Sequence, residues 1–358
     1  MTDTANPDLA IAIRGVTKIF GPDPQAALTA LRAGKSKAEL QTETGHVVGL
    51  DNVSLDIAPG QIFVVMGLSG SGKSTLIRHV NRLMEPTAGE IFVHGENVLA
   101  MSLEQLRNYR RTRVAMVFQK FGLLPHRSVL DNVAYGLEVR GTKKAEREAE
   151  ARKWIETVGL AGYESARPRQ LSGGQQQRVG LARALALDTD IILMDEAFSA
   201  LDPLIRSGMQ DQLMTLQKTL NKTILFITHD FDEALKIGDH VAVLKDGTVQ
   251  QQGRPEDIVL NPANEHIEEF VRDVNKARAI RVRTIMETGP AEPCEVAVAA
   301  DARCEDVLPL FAEHQWVGVL DDAGVQIGRV TAKRVIGALA RHDSRDAIVQ
   351  PARLEAAQ

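Results

Sequence analysis

Short apolar runs alternate with amphipathic stretches along most of this chain. Residues 62–66, 114–118, 191–194 and 224–228 are almost wholly apolar over four or five consecutive positions. Such runs predict strands, and 191–194 predicts a central parallel strand buried on both faces. Residues 241–244 form a further run, and Lys245-Asp246-Gly247-Thr248 is a hairpin turn signal that returns the chain to Val249-Gln250. Elsewhere the pattern is helical. Residues 73–84 place Leu76, Ile77, Val80 and Leu83 on one face, a second helix runs over 175–187, and 121–170 is helical in pattern. Charged stretches such as 143–153 read as solvated helix faces.

Two stretches depart from this rhythm. Between Phe20 and Val47 lies an ordered surface elaboration (21–47), with short helical pieces at 26–31 and 36–40. From about 278 the order becomes strand (295–298), helix (304–314), strand (317–320), turn (321–324), strand (327–330) and a helix to Arg341. The expected organisation is a flexible N-terminus (1–9), a main domain (10–270, with the insertion at 21–47 and a helical part at about 121–170), a linker (271–277), a small region (278–343) and a tail (344–358).

Composition narrows the function classes. A chain of 358 residues predicts two to three domains, and 44% hydrophobic with 4% aromatic residues is an ordinary soluble profile. The longest apolar runs fit core strands, not membrane spans. The first nine residues are polar and acidic, without the apolar core of a signal peptide, so the chain is expected in the cytosol, needing a partner for any work at a membrane. A net charge of −5 without a basic block does not favour nucleic-acid binding. Cys294 and Cys304 lack zinc-site spacing and read as free thiols.

The chemistry lies where the apolar runs end. Residues 62–66 feed Gly67-Leu68-Ser69-Gly70-Ser71-Gly72-Lys73-Ser74-Thr75, a complete Walker A loop between a strand and a helix. Its glycines let backbone N–H groups converge on phosphate oxygens, and the helix start adds partial positive charge. Lys73 can reach the β- and γ-phosphates, and Ser74 can offer its hydroxyl to Mg²⁺. A second glycine turn, Leu171-Ser172-Gly173-Gly174-Gln175, also opens a helix and is a second anion cradle. One nucleotide has one γ-phosphate, so two cradles in one chain point to a shared, sandwiched nucleotide. The 191–194 run ends in Asp195-Glu196, a carboxylate pair that is costly at the end of a core strand unless it binds something.

These motifs resemble those of the ATP-binding subunits of ABC transporters. The resemblance implies an α/β P-loop fold: a mainly parallel core sheet, an antiparallel β subdomain and a helical subdomain. The 278–343 region resembles one CBS repeat, a small α+β unit. Within the family pattern, two copies pair head to tail, each ATP lying between one copy's Walker A loop and the other's Leu171–Gln175 turn. Asp195 would hold Mg²⁺ through water, Glu196 would polarise the attacking water, and Asp202 belongs to the loop that follows. Gln119 resembles the glutamine that senses Mg²⁺ and water, His229 the switch histidine that contacts the γ-phosphate, and Phe20 the aromatic that stacks on adenine. The stretch 121–132 would dock on a membrane subunit.

The insertion after Phe20, the run from Met66 to Thr75, Asn81-Arg82-Leu83-Met84-Glu85-Pro86-Thr87 and the 194–206 stretch are similar to the ATPases of bacterial glycine betaine, proline betaine and choline importers. That implies ATP and Mg²⁺ as cofactors, a multi-spanning permease and a separate substrate-binding protein as partners, and a peripheral place on the cytoplasmic side of the inner (plasma) membrane. Two readings compete: an importer ATPase for another small solute such as an amino acid, and an ABC ATPase acting on nucleic acid or the ribosome. One Walker A loop, one signature turn, no sustained heptads and no zinc motif speak against the latter. The CBS-like region is compatible with ligand or ionic-strength sensing and with dimer stabilisation.

Overall fold

The computed structural model describes residues 8–119, 121–199, 201–272, 274–289 and 294–340. Residues 1–7 of the expected flexible N-terminus, Ala200, Arg341 at the expected helix end, and the 344–358 tail lie outside the described residues. The chain packs as two compact units, Met1–Gly253 and Arg254–Gln358. The main domain read from the sequence runs on to 270; in the structure the last strand of the first unit ends at Gly253, and the helices after it pack on one another.

In the first unit, β1 (Ile11–Phe20) is followed by the insertion, folded as α1 (Pro24–Arg32) and α2 (Lys37–Thr44), and then by β2 (Val47–Ile57). β3 (Ile62–Met66) leads into α3 (Lys73–Val80). β4 (Ala88–Val93) and β5 (Glu96–Asn97) complete an antiparallel sheet of order β2-β1-β4-β5. α4 (Leu103–Thr112) precedes β6 (Val114–Val117). The helical part is α5 (Val129–Val139), α6 (Lys144–Thr157) and α7 (Gly173–Leu185). Then come β7 (Ile191–Asp195), α8 (Pro203–Leu220), β8 (Thr223–Thr228), α9 (Phe231–Ile237) and the hairpin of β9 (His240–Lys245) and β10 (Thr248–Gly253).

The second sheet has the order β10-β9-β3-β8-β7-β6. It is parallel from β9 to β6, with β10 antiparallel at one edge. β3, β7 and β8 are buried at every position, which is why their sequences do not alternate. Ile11, Ile13, Leu55 and Ile91 of the antiparallel sheet share one core with Phe63, Val65, Leu193 and Leu225 of the parallel sheet and with Leu76, Ile77 and Val80 of α3. Register aligns the strand ends: Met66 pairs with Thr228, Asp195 with Ile227 and Val117 with Met194. The segments leaving β3, β6, β7 and β8 therefore emerge along one edge, the carboxyl-end crevice where open α/β sheets place their ligands.

Local chemistry explains where helices differ from the periodic reading. α3 stops at Val80, not at 84, because Asn81 Oδ1 accepts from Leu83 N at 3.1 Å and Arg82 takes a positive φ of 51°; this side-chain turn replaces the next helical bond. Leu83 is left exposed. α7 begins at Gly173, two residues before the expected start, because Ser172 and Gln175 form a reciprocal capping box.

The second unit holds α10 (Pro255–Leu260), α11 (Glu265–Arg272), α12 (Lys276–Ala279), α13 (Val282–Ile285), β11 (Glu287–Thr288), β12 (Ala297–Ala299), α14 (Cys304–Val307), β13 (Trp316–Leu320), β14 (Gln326–Thr331) and α15 (Ala332–Leu339). Its sheet has the order β11-β14-β13-β12. Ile280, Val282, Val307, Val317, Val319, Val330 and Val335 form its core. The helix expected over 304–314 breaks into α14 and a 3₁₀ segment, Leu308–Ala312, because Pro309 has no N–H to give to a helical ladder. Cys304 lies in this core, where burial pushes its thiol up to about 12 and leaves it inert.

Candidate active site

The loop from β3 to α3 wraps tightly, with positive φ at Gly67 (150°), Gly70 (82°) and Gly72 (100°). A Cβ at Gly67 would stand 2.1 Å from the Leu244 carbonyl oxygen, and one at Gly72 2.4 Å from that of Gly49, so only glycine lets the loop seat here. Leu68, Ser69 and Gly70 form its exposed crest, and Ser71 is buried beneath. Lys73 is only 4% exposed. Its Nζ donates to the carbonyl oxygens of Gly67 (2.7 Å) and Leu68 (2.8 Å), with Ser71 Oγ at 3.4 Å. Burial lowers its pKa below the ordinary lysine value, and the Glu196 and Asp195 carboxylates oppose that shift. One turn on, the Thr75 carbonyl accepts from His79 Nδ1.

Ser74 Oγ donates to Asp195 Oδ1 at 2.8 Å. Asp195 ends β7 and is 1% exposed; its other oxygen lies 3.4 Å from Arg78 Nη2. Glu196 follows in a left-handed conformation (φ 46°), held by Glu196 N donating to Ile227 O at 3.1 Å and by Ser199 Oγ donating to Glu196 O at 3.0 Å. That turn directs the carboxylate toward the segments leaving β6 and β8. Glu196 Oε2 accepts from Gln119 Nε2 at 2.9 Å and lies 3.4 Å from His229 Nδ1. Lys73, Ser74, Asp195, Glu196, Gln119 and His229, read separately from the sequence, thus meet along one sheet edge.

Phe20 stands close by. It ends β1, half-exposed, with the Lys18 ammonium 5.3 Å from its ring centroid. A Cβ on Gly49 would lie 2.7 Å from the ring, and the Gly49 carbonyl packs on Gly72. Gly49 therefore joins the aromatic to the phosphate loop.

The Leu171–Gln175 turn is elsewhere. Ser172 caps α7, its Oγ accepting from Gln175 N at 3.3 Å while Gln175 Oε1 accepts from Ser172 N at 2.9 Å. Ser172, Gly173, Gly174 and Gln175 line a concavity of about 520 Å³ together with Leu201, Asp202 and Ile205. Asp202 Oδ1 caps α8 through Ile205 N at 3.1 Å. Among the described residues, no hydrogen bond or ion pair joins this turn to the 67–75 loop. No residue of the 67–75 loop lines the concavity that holds this turn.

Sequence reasoning missed three contributors: Arg78 beside Asp195, Gly49 under Phe20, and Arg206. Arg206 Nη1 pairs with Asp230 Oδ2 at 3.0 Å and Nη2 donates to Leu201 O at 3.1 Å, tying the segment around His229 to the one around Asp202. Arg78 was legible in principle, because it lies four residues after Ser74 on one helix face. The other two depend on contacts between distant elements.

The sequence model of the ABC transporter family matches residues 50–199. The chain is 53% identical over 279 residues to the glycine betaine transport ATP-binding protein OpuAA of Bacillus subtilis (strain 168), covering 78% of this chain and 67% of that one. It is 47% identical over 326 residues to the trimethylamine N-oxide transport system ATP-binding protein TmoW of Ruegeria pomeroyi, covering 88% of this chain and 95% of that one. Among solved structures, the dimeric post-hydrolysis state of the ATP-binding cassette MJ0796 bound to ADP and Pi is similar with a TM-score of 0.58 and 32% identity, over 68% of this chain and 97% of that one. These likenesses, on a P-loop α/β core, establish that the chain belongs to the ATP-binding proteins of the ABC transporter family.

Proposed function

We infer that this chain is the ATP-hydrolysing subunit of an importer for a small methylated ammonium osmolyte, working as a head-to-tail homodimer. The observation that carries the ATPase reading is Glu196 Oε2 facing both Gln119 and His229 beside the Lys73 loop. A water lodged there lies in reach of the Glu196 carboxylate, which orients it and takes its proton. Lys73 and the loop N–H groups neutralise charge gathering on the γ-phosphate. Ser172 of the second copy would donate to the same phosphate, since its oxygen already accepts from Gln175 N and its proton is free to give. Phe20 offers a face to the base.

Ser74 and Asp195 form a pair of hard oxygen ligands that fits Mg²⁺. Among the described residues no three His, Cys, Asp or Glu side chains gather to hold a metal by themselves, so the ion would take its other ligands from phosphate and water. Held by Ser74 and Asp195, Mg²⁺ would offset the negative charge of the phosphates.

No helix among the described residues is long and apolar enough to cross a membrane. A permease partner is favoured by a groove of about 360 Å³ edged by exposed Leu83, Phe118, Tyr135 and Val139, beside Gly122 and Leu124 of the expected docking stretch. The chain would sit on the cytoplasmic face of the plasma membrane, fed by a separate substrate-binding protein. The betaine relative favours a quaternary ammonium cargo such as glycine betaine, proline betaine or choline. Trimethylamine N-oxide is a second reading, favoured because that relative matches almost end to end.

The test is ATP turnover in proteoliposomes holding this chain with its permease and binding protein, screened with each of these compounds and with amino acids. Stimulation by at least one methylated compound is expected. Stimulation by amino acids alone would redirect the cargo, and hydrolysis unaffected by Lys73→Ala would remove the ATPase reading.

A further inference from the structure

The insertion supplies no residue to the site described above, yet it is anchored to it. α1 and α2 bury Ala27, Leu28 and Leu40 against Ile19 of β1. The base of the insertion closes beside Phe20: a Cβ on Gly21 would stand 2.3 Å from the His46 ring, and His46 Nε2 accepts from Asp23 N at 3.1 Å. From α2, Lys37 reaches away from the insertion. Its ammonium donates to the Asp246 carbonyl oxygen at 2.7 Å and pairs with the Asp51 carboxylate at 3.1 Å.

Asp246 and Gly247 are the two central residues of the β9–β10 turn, both at positive φ (48° and 75°). The Asp246 carbonyl and the Gly247 N–H belong to one planar peptide unit, so fixing one end orients the other. That N–H donates to the Ser71 carbonyl oxygen in the phosphate loop at 3.0 Å, and the Gly247 carbonyl accepts from Asp51 N at 2.8 Å. A cation on the carbonyl end of a peptide also polarises the N–H at its far end, so the two bonds strengthen each other.

We propose that Lys37 is a positioning residue for ATP: through the Asp246–Gly247 peptide plane it holds Ser71, and with it the phosphate loop, in binding geometry. The insertion is thereby a brace for the nucleotide site. This rests on the nucleotide reading of the 67–75 loop. The test compares the full chain with Lys37→Met, which keeps the stem but not the charge, and Lys37→Arg, which restores a charged donor. In Lys37→Met the Kd and KM for ATP are expected to rise roughly three- to tenfold, with kcat held and the melting temperature unchanged; Lys37→Arg recovers most of the affinity. Hydrogen exchange at the Gly247 N–H, followed without nucleotide, is expected to quicken in Lys37→Met. Unchanged ATP affinity overturns the positioning role, as does a loss of kcat that merely tracks lost stability. Equal Gly247 exchange in all three proteins overturns the brace itself. If the unaltered chain binds no ATP, the nucleotide reading and the positioning role fall together, while Gly247 exchange still reports on the brace.

Discussion

Glu196 shows how a single residue is made useful by its backbone. A glutamate at positive φ is disfavoured, and it persists because Ile227 O and Ser199 hold the turn on either side. The reward is a carboxylate aimed at Gln119 and His229 instead of back into β7. Glu196→Gln keeps shape and hydrogen bonding but removes the proton acceptor. Steady-state turnover is expected to fall by about a hundredfold or more, with ATP binding retained and an ATP-loaded dimer accumulating on size-exclusion chromatography. Near-normal phosphate release by this variant would take Glu196 out of the chemistry. The residue scale is also where the sequence was most legible: the Asp195-Glu196 pair and His229 stand at the end of an apolar run, and the Lys73-Ser74 pair closes the glycine loop that follows one. Arg78 and Gly49 were not legible that way, because one acts through a helix neighbour and the other only through the close approach of two loops.

Among the elements, the stretch between Gln119 and α5 depends on one buried side chain. Asn132, fully buried, accepts from Leu124 N at 2.7 Å and donates to the carbonyls of Leu124, Arg127 and Ser128 at 3.1, 3.3 and 2.9 Å. Arg183 of α7 donates to Gly122 O at 2.7 Å and Phe121 O at 3.2 Å. The segment that follows Gln119 is thus held by α5 on one side and by α7 on the other. Asn132→Ala strands the Leu124 N–H and takes a donor from Arg127 O, while Leu124 O and Ser128 O keep backbone bonds from Arg127 N and Asn132 N; it should destabilise the first unit by about 2–3 kcal/mol, measured as a lowered urea midpoint. A shift under about 1 kcal/mol would show that the backbone bonds from Arg127 N to Leu124 O and from Asn132 N to Ser128 O hold the segment without that side chain. The helical character of 121–170 was visible in the pattern; that its first part is a loop stitched by an asparagine was not, since a periodic pattern does not say which polar residue turns inward.

For the whole molecule, the proposed dimer depends on which copy supplies each glycine turn. Ser172 lines a concavity that takes no residue from the 67–75 loop, and in the proposed head-to-tail dimer each site draws the loop from one copy and the turn from the other. Lys73→Ala and Ser172→Arg should each abolish turnover as separate proteins. Mixed, they should recover part of it, because the hybrid dimer assembles one site from an intact Lys73 loop and an intact Ser172 turn. Absence of recovery in mixtures shown to exchange subunits would make each chain's site self-sufficient and refute the shared arrangement.

The motifs, their order and the buried strands that carry them were determined by the sequence alone, because a strand buried on both faces must be apolar throughout and a phosphate loop must have glycine where its backbone turns. Only tertiary structure decided which of these residues meet. Register brought Asp195, Thr228 and Met66 to a common edge, and a hairpin peptide tied the insertion to Ser71. Those outcomes depend on distances between segments far apart in the chain, and local periodicity carries no information about them.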